Sequence, residues 1–160
     1  MTEQGDDIQV VIFRVGGQEF AFNVFHVQRI LRYEQPSPLP KAPAFLVGVL
    51  QVQGAVVPVI DLRKRFELRD AGLREETRTM VLEADGVVVA VIVDAVLEVA
   101  RTPAASVTAP PAVVKGLAAE YIQGIIHEGG RTVILLQTAR LLTSAERIAL
   151  ETVQAEPVHG

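Results

Sequence analysis

Residues 48–66 read GVLQVQGAVVPVIDLRKRF and predict a β-hairpin followed by a short helical turn. Apolar residues fill both predicted strands. Gly54 stands between them, where glycine tolerates the positive φ of a tight turn. Pro58 interrupts the second run. Because proline cannot donate a hydrogen bond to a β-ladder, it predicts an edge strand or a bulge at that point.

The later part of the chain repeats this pattern. Residues 124–137, GIIHEGGRTVILLQ, follow the hairpin at a constant offset of 76, and residues 86–93 follow residues 17–24 at an offset of 69. Such self-similarity indicates two copies of one structural unit. Each copy has roughly five short strands, which favours two small β-barrels packed through their apolar faces. The predicted interior residues are Val11, Phe13, Phe22, Val49, Val57, Ile60, Val91, Val93, Ile125, Val133 and Leu135.

The remaining elements are predicted from shorter patterns. Apolar residues at Val24, Val27 and Leu31 predict a short amphipathic helix capped by Asn23, with a third strand as the alternative. Residues 103–117 are rich in proline and alanine and predict a loop. Thr143-x-x-Glu146 fits a capping box ahead of a C-terminal helix.

One domain is predicted over residues 8–150. Its two halves cover about residues 8–66 and 79–142, separated by a highly charged run. Residues 1–7 and 154–160 are expected to be flexible tails.

Composition narrows the classes of function. The chain has 160 residues, 49% of them apolar, and a formal net charge of -4, which disfavours nucleic acid as a partner. It contains no cysteine, which excludes disulfides and favours a cytoplasmic location. No apolar run approaches the ~20 residues of a membrane helix, so no membrane insertion is expected.

Candidate catalytic residues are few. His26, His127 and His159 are widely spaced, so neither a metal site nor an acid–base pair is predicted, and His127 is expected to be an exposed residue beside a turn. Asp61 and Asp94 each follow a predicted strand, where a carboxylate more commonly caps the next turn than takes part in catalysis. We therefore predict no enzyme, no metal and no cofactor.

Arg63, Lys64 and Arg65 form a compact basic cluster. It has two interpretations: a solvated helix face, or a docking patch for an acidic surface of a partner.

Five segments, taken in order, resemble the CheW family. They are QVVIFRVGG at 9–17, VQ-x-I at 27–30, P-x-AP-x-F-x-x-GV at 40–49, G-x-VVPVIDLR at 54–63, and YI-x-G at 121–124 followed by the apolar run into Leu135–Leu136. The resemblance covers about residues 8–150, and its specificity comes from the set rather than from any one segment.

The resemblance implies a mainly β fold of two intertwined five-stranded SH3-like β-barrels packed together, with short helices and a C-terminal helix. It also implies a non-catalytic adaptor that couples a chemoreceptor to a CheA-type histidine kinase. The implied partners are the regulatory domain of the kinase and the cytoplasmic tip of the receptor. The implied location is the cytoplasm, in association with membrane receptor arrays.

The resemblance also assigns binding roles to individual residues. Arg29, Gln53 and Val56 match the receptor-facing surface, whereas Val27 and Gly48 match sites tied to kinase binding or coupling. A purely structural role is equally open for Val27, Val56 and Gly48.

Several polar positions depart from the family pattern. The central hairpin usually reads Gly-x-x-Asn-x-Arg-Gly, but Gln51 and Gln53 replace the Asn and the Arg here. Arg29 replaces a common Glu, and Gln137 replaces a common Asp. Because charge changes at an interface alter partner choice, we expect re-specified contacts, an alternative signalling pathway, or an adaptor that binds only one usual partner.

A second class of function stays open. A β-barrel that binds a peptide or small molecule outside a receptor array would need an enclosed apolar pocket with converging polar groups. The oligomeric state is also open.

Overall fold

The computed structural model describes residues 6–68, 72–109 and 121–141. The strands are β1 (Asp7–Val15), β2 (Gln18–Asn23), β3 (Val27–Arg32), β4 (Leu46–Val52), β5 (Ala55–Asp61), β6 (Arg78–Ala84), β7 (Val87–Val93), β8 (Ala95–Pro103), β9 (Val107–Thr108), β10 (Ile122–Glu128) and β11 (Arg131–Leu136). The helical elements include 3₁₀ turns at Val24–His26 and Ala104–Ser106 and one helical turn, α1 (Leu62–Arg65). The predicted capping box and C-terminal helix lie outside the described residues.

The strands form two packed sheets. The first has the order β8-β1-β2-β11-β10-β9, and the second has the order β3-β6-β7-β5-β4. Each sheet takes strands from both halves of the sequence, so the units are intertwined, and the predicted fold class is confirmed. The first sheet has six strands because the two-residue strand β9 lies at its edge. The domain limits at residues 8 and 150, the two half-boundaries and the tails stay predictions.

The sequence repeat is reproduced in the structure. The hairpins β4–β5 and β10–β11 each have a bulge immediately before the aligned glycine, Gly48 or Gly124. The parallel pair β5–β7 in the second sheet corresponds to the pair β11–β2 in the first, and the two registers agree with the offsets of 76 and 69. The two units are therefore built by the same pairing rules.

The two aligned glycines allow a neighbouring segment to approach each hairpin. A Cβ at Gly48 would lie 2.2 Å from the carbonyl oxygen of Ser37, and a Cβ at Gly124 would lie 2.9 Å from that of Thr108. Ser37 exchanges two backbone hydrogen bonds with Val49, at 2.9 and 2.8 Å. Any side chain at Gly48 would displace Ser37 and break its two hydrogen bonds with Val49.

Three apolar clusters stabilise the fold. The largest lies between the sheets, and each sheet has a smaller cluster of its own. All the predicted interior residues are buried except Val49, which is half-buried. Alternate residues of a strand face opposite sides, and Leu50 takes the buried side of β4 at this point.

The predicted helix over residues 24–32 is wrong. Residues Val24–His26 form a single 3₁₀ turn, and Val27–Arg32 form strand β3, the alternative that the sequence left open. Three apolar residues at helical spacing are a weak signal. Cross-strand pairing of β3 with β6 satisfies the same backbone groups and outweighs that signal.

Two further predictions are corrected. Strand β5, which contains Pro58, is flanked by β4 and β7 and is not an edge strand. The predicted alternative, a bulge, is present in the ladder beside Pro58, on the partner strand between Leu46 and Gly48. The proline is tolerated because the pairing with β7 starts only at Val59. Residues 103–117 are not a plain loop, since the end of β8, a 3₁₀ turn and β9 occupy the described part of that range.

Candidate protein-interaction site

The edge strand β3 and the turn before it carry exposed apolar and basic side chains. Phe25 is 89% exposed and Ile30 is 42% exposed. Asn23 fixes the turn, because its Oδ1 accepts the Phe25 N–H at 2.9 Å; this confirms its predicted capping role. Arg29 is also exposed. Arg29 pairs with Val81 and Ile30 with Met80, so these two side chains leave the edge of the sheet on opposite faces. We call the three exposed residues Phe25, Arg29 and Ile30 the β3 surface.

The turn of the hairpin β4–β5 adds a second exposed group. Gln53 and Gly54 have φ angles of +51° and +81°, the backbone of a tight hairpin turn. Val56 is 57% exposed, and the side chain of Gln51, its cross-strand partner, is exposed too. We define Gln51, Gln53 and Val56 as the hairpin tip. The three residues assigned to receptor contact thus lie at the surface.

The two residues assigned to the kinase are less accessible. Val27 is half-buried and packs against the cluster between the sheets. Gly48 is buried beneath Ser37 and has no side chain. A contribution of Gly48 to coupling would therefore act through the packing of the segment around Ser37 on β4.

The three basic residues after β5 do not form one patch. The interpretation of this cluster as a docking patch is therefore wrong. Arg63 is only 4% exposed because it turns inward. Arg65 lies over the rings of Phe45 and Tyr121, 4.5 and 5.1 Å from their centroids, and also donates to the Tyr121 hydroxyl. Of the three, Lys64 alone is exposed to solvent. Arg63 and Arg65 stabilise the fold instead of offering a docking face.

Arg63 joins two buried or nearly buried carboxylates. Its Nε donates to Asp61 Oδ1 at 3.0 Å and its Nη1 donates to Asp94 Oδ1 at 3.4 Å. Asp61 also caps α1, since its Oδ1 accepts the Arg63 N–H at 3.0 Å, as predicted. The other oxygen of Asp94 accepts the Gly16 N–H at 2.8 Å. The spacing of Asp61 and Asp94 did not predict this contact.

Both carboxylates are therefore engaged in structural bonds. His127 lies on β10 of the first sheet and is exposed, as predicted for a residue beside a turn. Within residues 6–68, 72–109 and 121–141, no group of three or more acidic or histidine side chains could hold a metal ion. No helix in that part of the chain is long and apolar enough to cross a bilayer.

Sequence reasoning missed Phe25. The signal was available, because Phe25 lies off the apolar face of the helix predicted at residues 24–32. A large apolar residue that fits no predicted core position is a candidate for contact with a partner. Only the fixed turn after Asn23 shows that Phe25 points away from the core.

Comparisons with known proteins agree on one family. The family model of the CheW-like domain matches residues 9–146. A chemotaxis protein CheW of Klebsiella aerogenes is 32% identical, over 91% of this chain and 87% of its own length. Protein FrzA of Myxococcus xanthus is 32% identical, over 86% of this chain and 87% of its own length.

A solved structure agrees with the fold. The scaffolding protein TtCheW of Thermoanaerobacter tengcongensis superimposes with a TM-score of 0.75 at 27% sequence identity, covering 81% of this chain and 88% of that protein. The chain therefore belongs to the CheW-like family and is an adaptor of chemotaxis signalling.

Proposed function

We propose that this chain couples the cytoplasmic tip of a chemoreceptor to the regulatory domain of a CheA-type histidine kinase, and that it has no catalytic activity of its own. It acts in the cytoplasm beside membrane receptor arrays. Family membership supports the adaptor role, and the β3 surface supports contact with partners. The observation that carries the proposal is the 89% exposure of Phe25 on a fixed turn.

The β3 surface has the composition of an interaction site. Aromatic and arginine side chains are enriched at protein interfaces, where a few residues contribute most of the binding free energy. Burying an aromatic side chain stabilises a complex by about 1.5–3 kcal/mol. Phe25 can supply such an anchor, while Arg29 supplies charge selectivity at the edge of the contact.

We assign receptor contact to Arg29, Gln53 and Val56. All three are exposed, and two of them differ in charge from the usual family residue, so the receptor must differ at the complementary positions. An acidic group opposite Arg29 would satisfy this requirement. Val27 and Gly48 are assigned to kinase coupling through packing, because neither offers an exposed side chain.

Two calorimetric titrations test the proposal. The chain is titrated with the regulatory domain of a co-encoded kinase and, separately, with the cytoplasmic tip of a co-encoded receptor. We expect saturable binding to both. Arg29→Glu should weaken receptor binding, and Lys64→Ala, which removes an exposed charge elsewhere, should not. Binding to one partner alone would reduce the function to a single contact, and binding to neither at micromolar concentrations would refute the proposal.

A further inference from the structure

A cleft whose walls share no residue with the β3 surface or the hairpin tip contains three arginines. A cavity of about 300 Å³ lies beside the β1–β2 turn, and its walls include Arg14, Gly17, Arg74 and Asp94. A second cavity of about 310 Å³ adjoins it, shares Arg14, and also contains Arg78. Volumes of this size are typical of small-ligand sites.

The guanidinium groups of Arg14 and Arg74 are available for a ligand. Among the described residues, neither has a hydrogen-bond or ion-pair partner for its side chain. Both oxygens of Asp94 are already engaged, because they accept from Gly16 N–H and from Arg63. Glu19, the cross-strand partner of Arg14, is held by Arg131 at 2.8 Å.

The local charge contrasts with that of the whole chain. The two cavities contain three arginines. Glu76 contributes one negative charge, and the group of Asp61, Arg63 and Asp94 contributes a second. The walls therefore carry a net charge of +1 in a chain of net charge -4. An anion that enters this cleft meets two guanidinium groups in a concave site whose net charge is opposite to that of the whole chain.

We propose that the cleft between Arg14 and Arg74 is a binding site for an oxyanion, either a phosphate group or a carboxylate. A guanidinium group presents a planar pair of N–H donors that matches the oxygens of either group. The same corner of the fold already binds a carboxylate internally, since the Gly16 N–H holds Asp94 at 2.8 Å. Anion binding at this cleft requires neither of the proposed partners.

Phosphate and succinate titrations at constant ionic strength, with chloride as the balancing anion, test this inference. Backbone amide and arginine Nε resonances are followed by NMR. We expect saturable shifts confined to Gly17, Arg14, Arg74 and Thr77. Arg14→Ala and Arg74→Ala should each weaken binding about tenfold or more. Tighter binding of phosphate would identify the natural ligand as a phosphorylated group, and tighter binding of succinate would identify it as a carboxylate.

Arg101→Ala is the matched control, because Arg101 is exposed on β8 and its loss changes the net charge equally. It should leave the binding curve unchanged. Arg14→Lys keeps the charge and the fold but removes the paired donors, so it should bind more weakly than the unmodified chain. Shifts that fail to saturate, or that Arg101→Ala reduces as much as Arg14→Ala, would overturn the inference.

Discussion

Arg63 and Asp94 lie 31 residues apart in the chain, and their side chains meet at 3.4 Å, where the two sheets join. Arg63 belongs to α1, which follows β5 of the second sheet. Asp94 stands between β7 of the second sheet and β8 of the first, and it also holds the Gly16 N–H of the β1–β2 turn. This contact therefore fixes α1 against a turn of the other sheet.

Replacing Arg63 with alanine should lower the free energy of unfolding by about 3–5 kcal/mol, because Asp61 and Asp94 would be left without a compensating charge. Urea denaturation followed by circular dichroism measures the change. Lys64→Ala is the control, since Lys64 is the next residue and is exposed; it should change stability by less than about 0.5 kcal/mol. Equal stability of the two variants would show that the buried charges do not need Arg63.

Replacing Gly48 with alanine should destabilise the fold by about 1–3 kcal/mol or more, because its Cβ would meet the backbone carbonyl of Ser37 at 2.2 Å. Gly54→Ala is the comparison that separates this clash from backbone strain, because it introduces strain without a clash. Gly54 has a φ of +81°, and a Cβ added there would meet no atom within 4 Å, so its replacement costs about 1–2 kcal/mol from conformation alone. Thermal unfolding of both variants gives the comparison, and a smaller loss for Gly48→Ala would contradict the account of the bulge.

The fold could be predicted from the sequence more completely than the interaction surface could. The hairpin at residues 48–66 and its copy at an offset of 76 were predictable, because glycine turns and β-branched runs are local signals. The exchange of strands between the sheets was not predictable from the residues, since pairing of β5 with β7 depends on contacts between distant segments. Only the family resemblance implied that the two barrels are intertwined.

Prediction from local patterns also failed where the same residues fit two kinds of secondary structure. Val24, Val27 and Leu31 fit a helix by spacing, yet β3 pairs with β6. The inward turn of Arg63 was hidden because a run of three basic residues looks solvated. Its carboxylate partner Asp94 becomes visible only when the chain is folded.

Phe25→Ala should weaken binding of one of the two proposed partners about tenfold or more, because it removes the largest exposed apolar side chain of the β3 surface. Stability should be unchanged within about 0.5 kcal/mol, since Phe25 makes little contact with the core. Leu73→Ala is the matched control, as Leu73 is 58% exposed outside that surface. Interferometry with each partner measures the effect, and equal affinities for the two variants would remove Phe25 from the interface.

Arg131 links three strands of the first sheet through Glu19 and Glu98. The hydrogen bonds that Arg131 donates to Glu98, and next those that it donates to Glu19, raise the pKa of its guanidinium. Because arginine stays protonated well above neutral pH, this stabilisation does not vary across the physiological range. Arg131→Ala should cost about 1 kcal/mol or less, because the pair is partly exposed, and the loss should shrink in high salt. A loss that is insensitive to salt in urea denaturation would contradict this interpretation.

The central claim is that this chain joins a receptor to a kinase, and co-sedimentation tests it directly. Membrane vesicles that contain the co-encoded receptor are mixed with the kinase, with and without the chain, and then pelleted. We predict that the kinase pellets with the vesicles only when the chain is present, and that Arg29→Glu reduces the amount recovered. Recovery of the kinase that is the same with and without the chain would contradict the adaptor function.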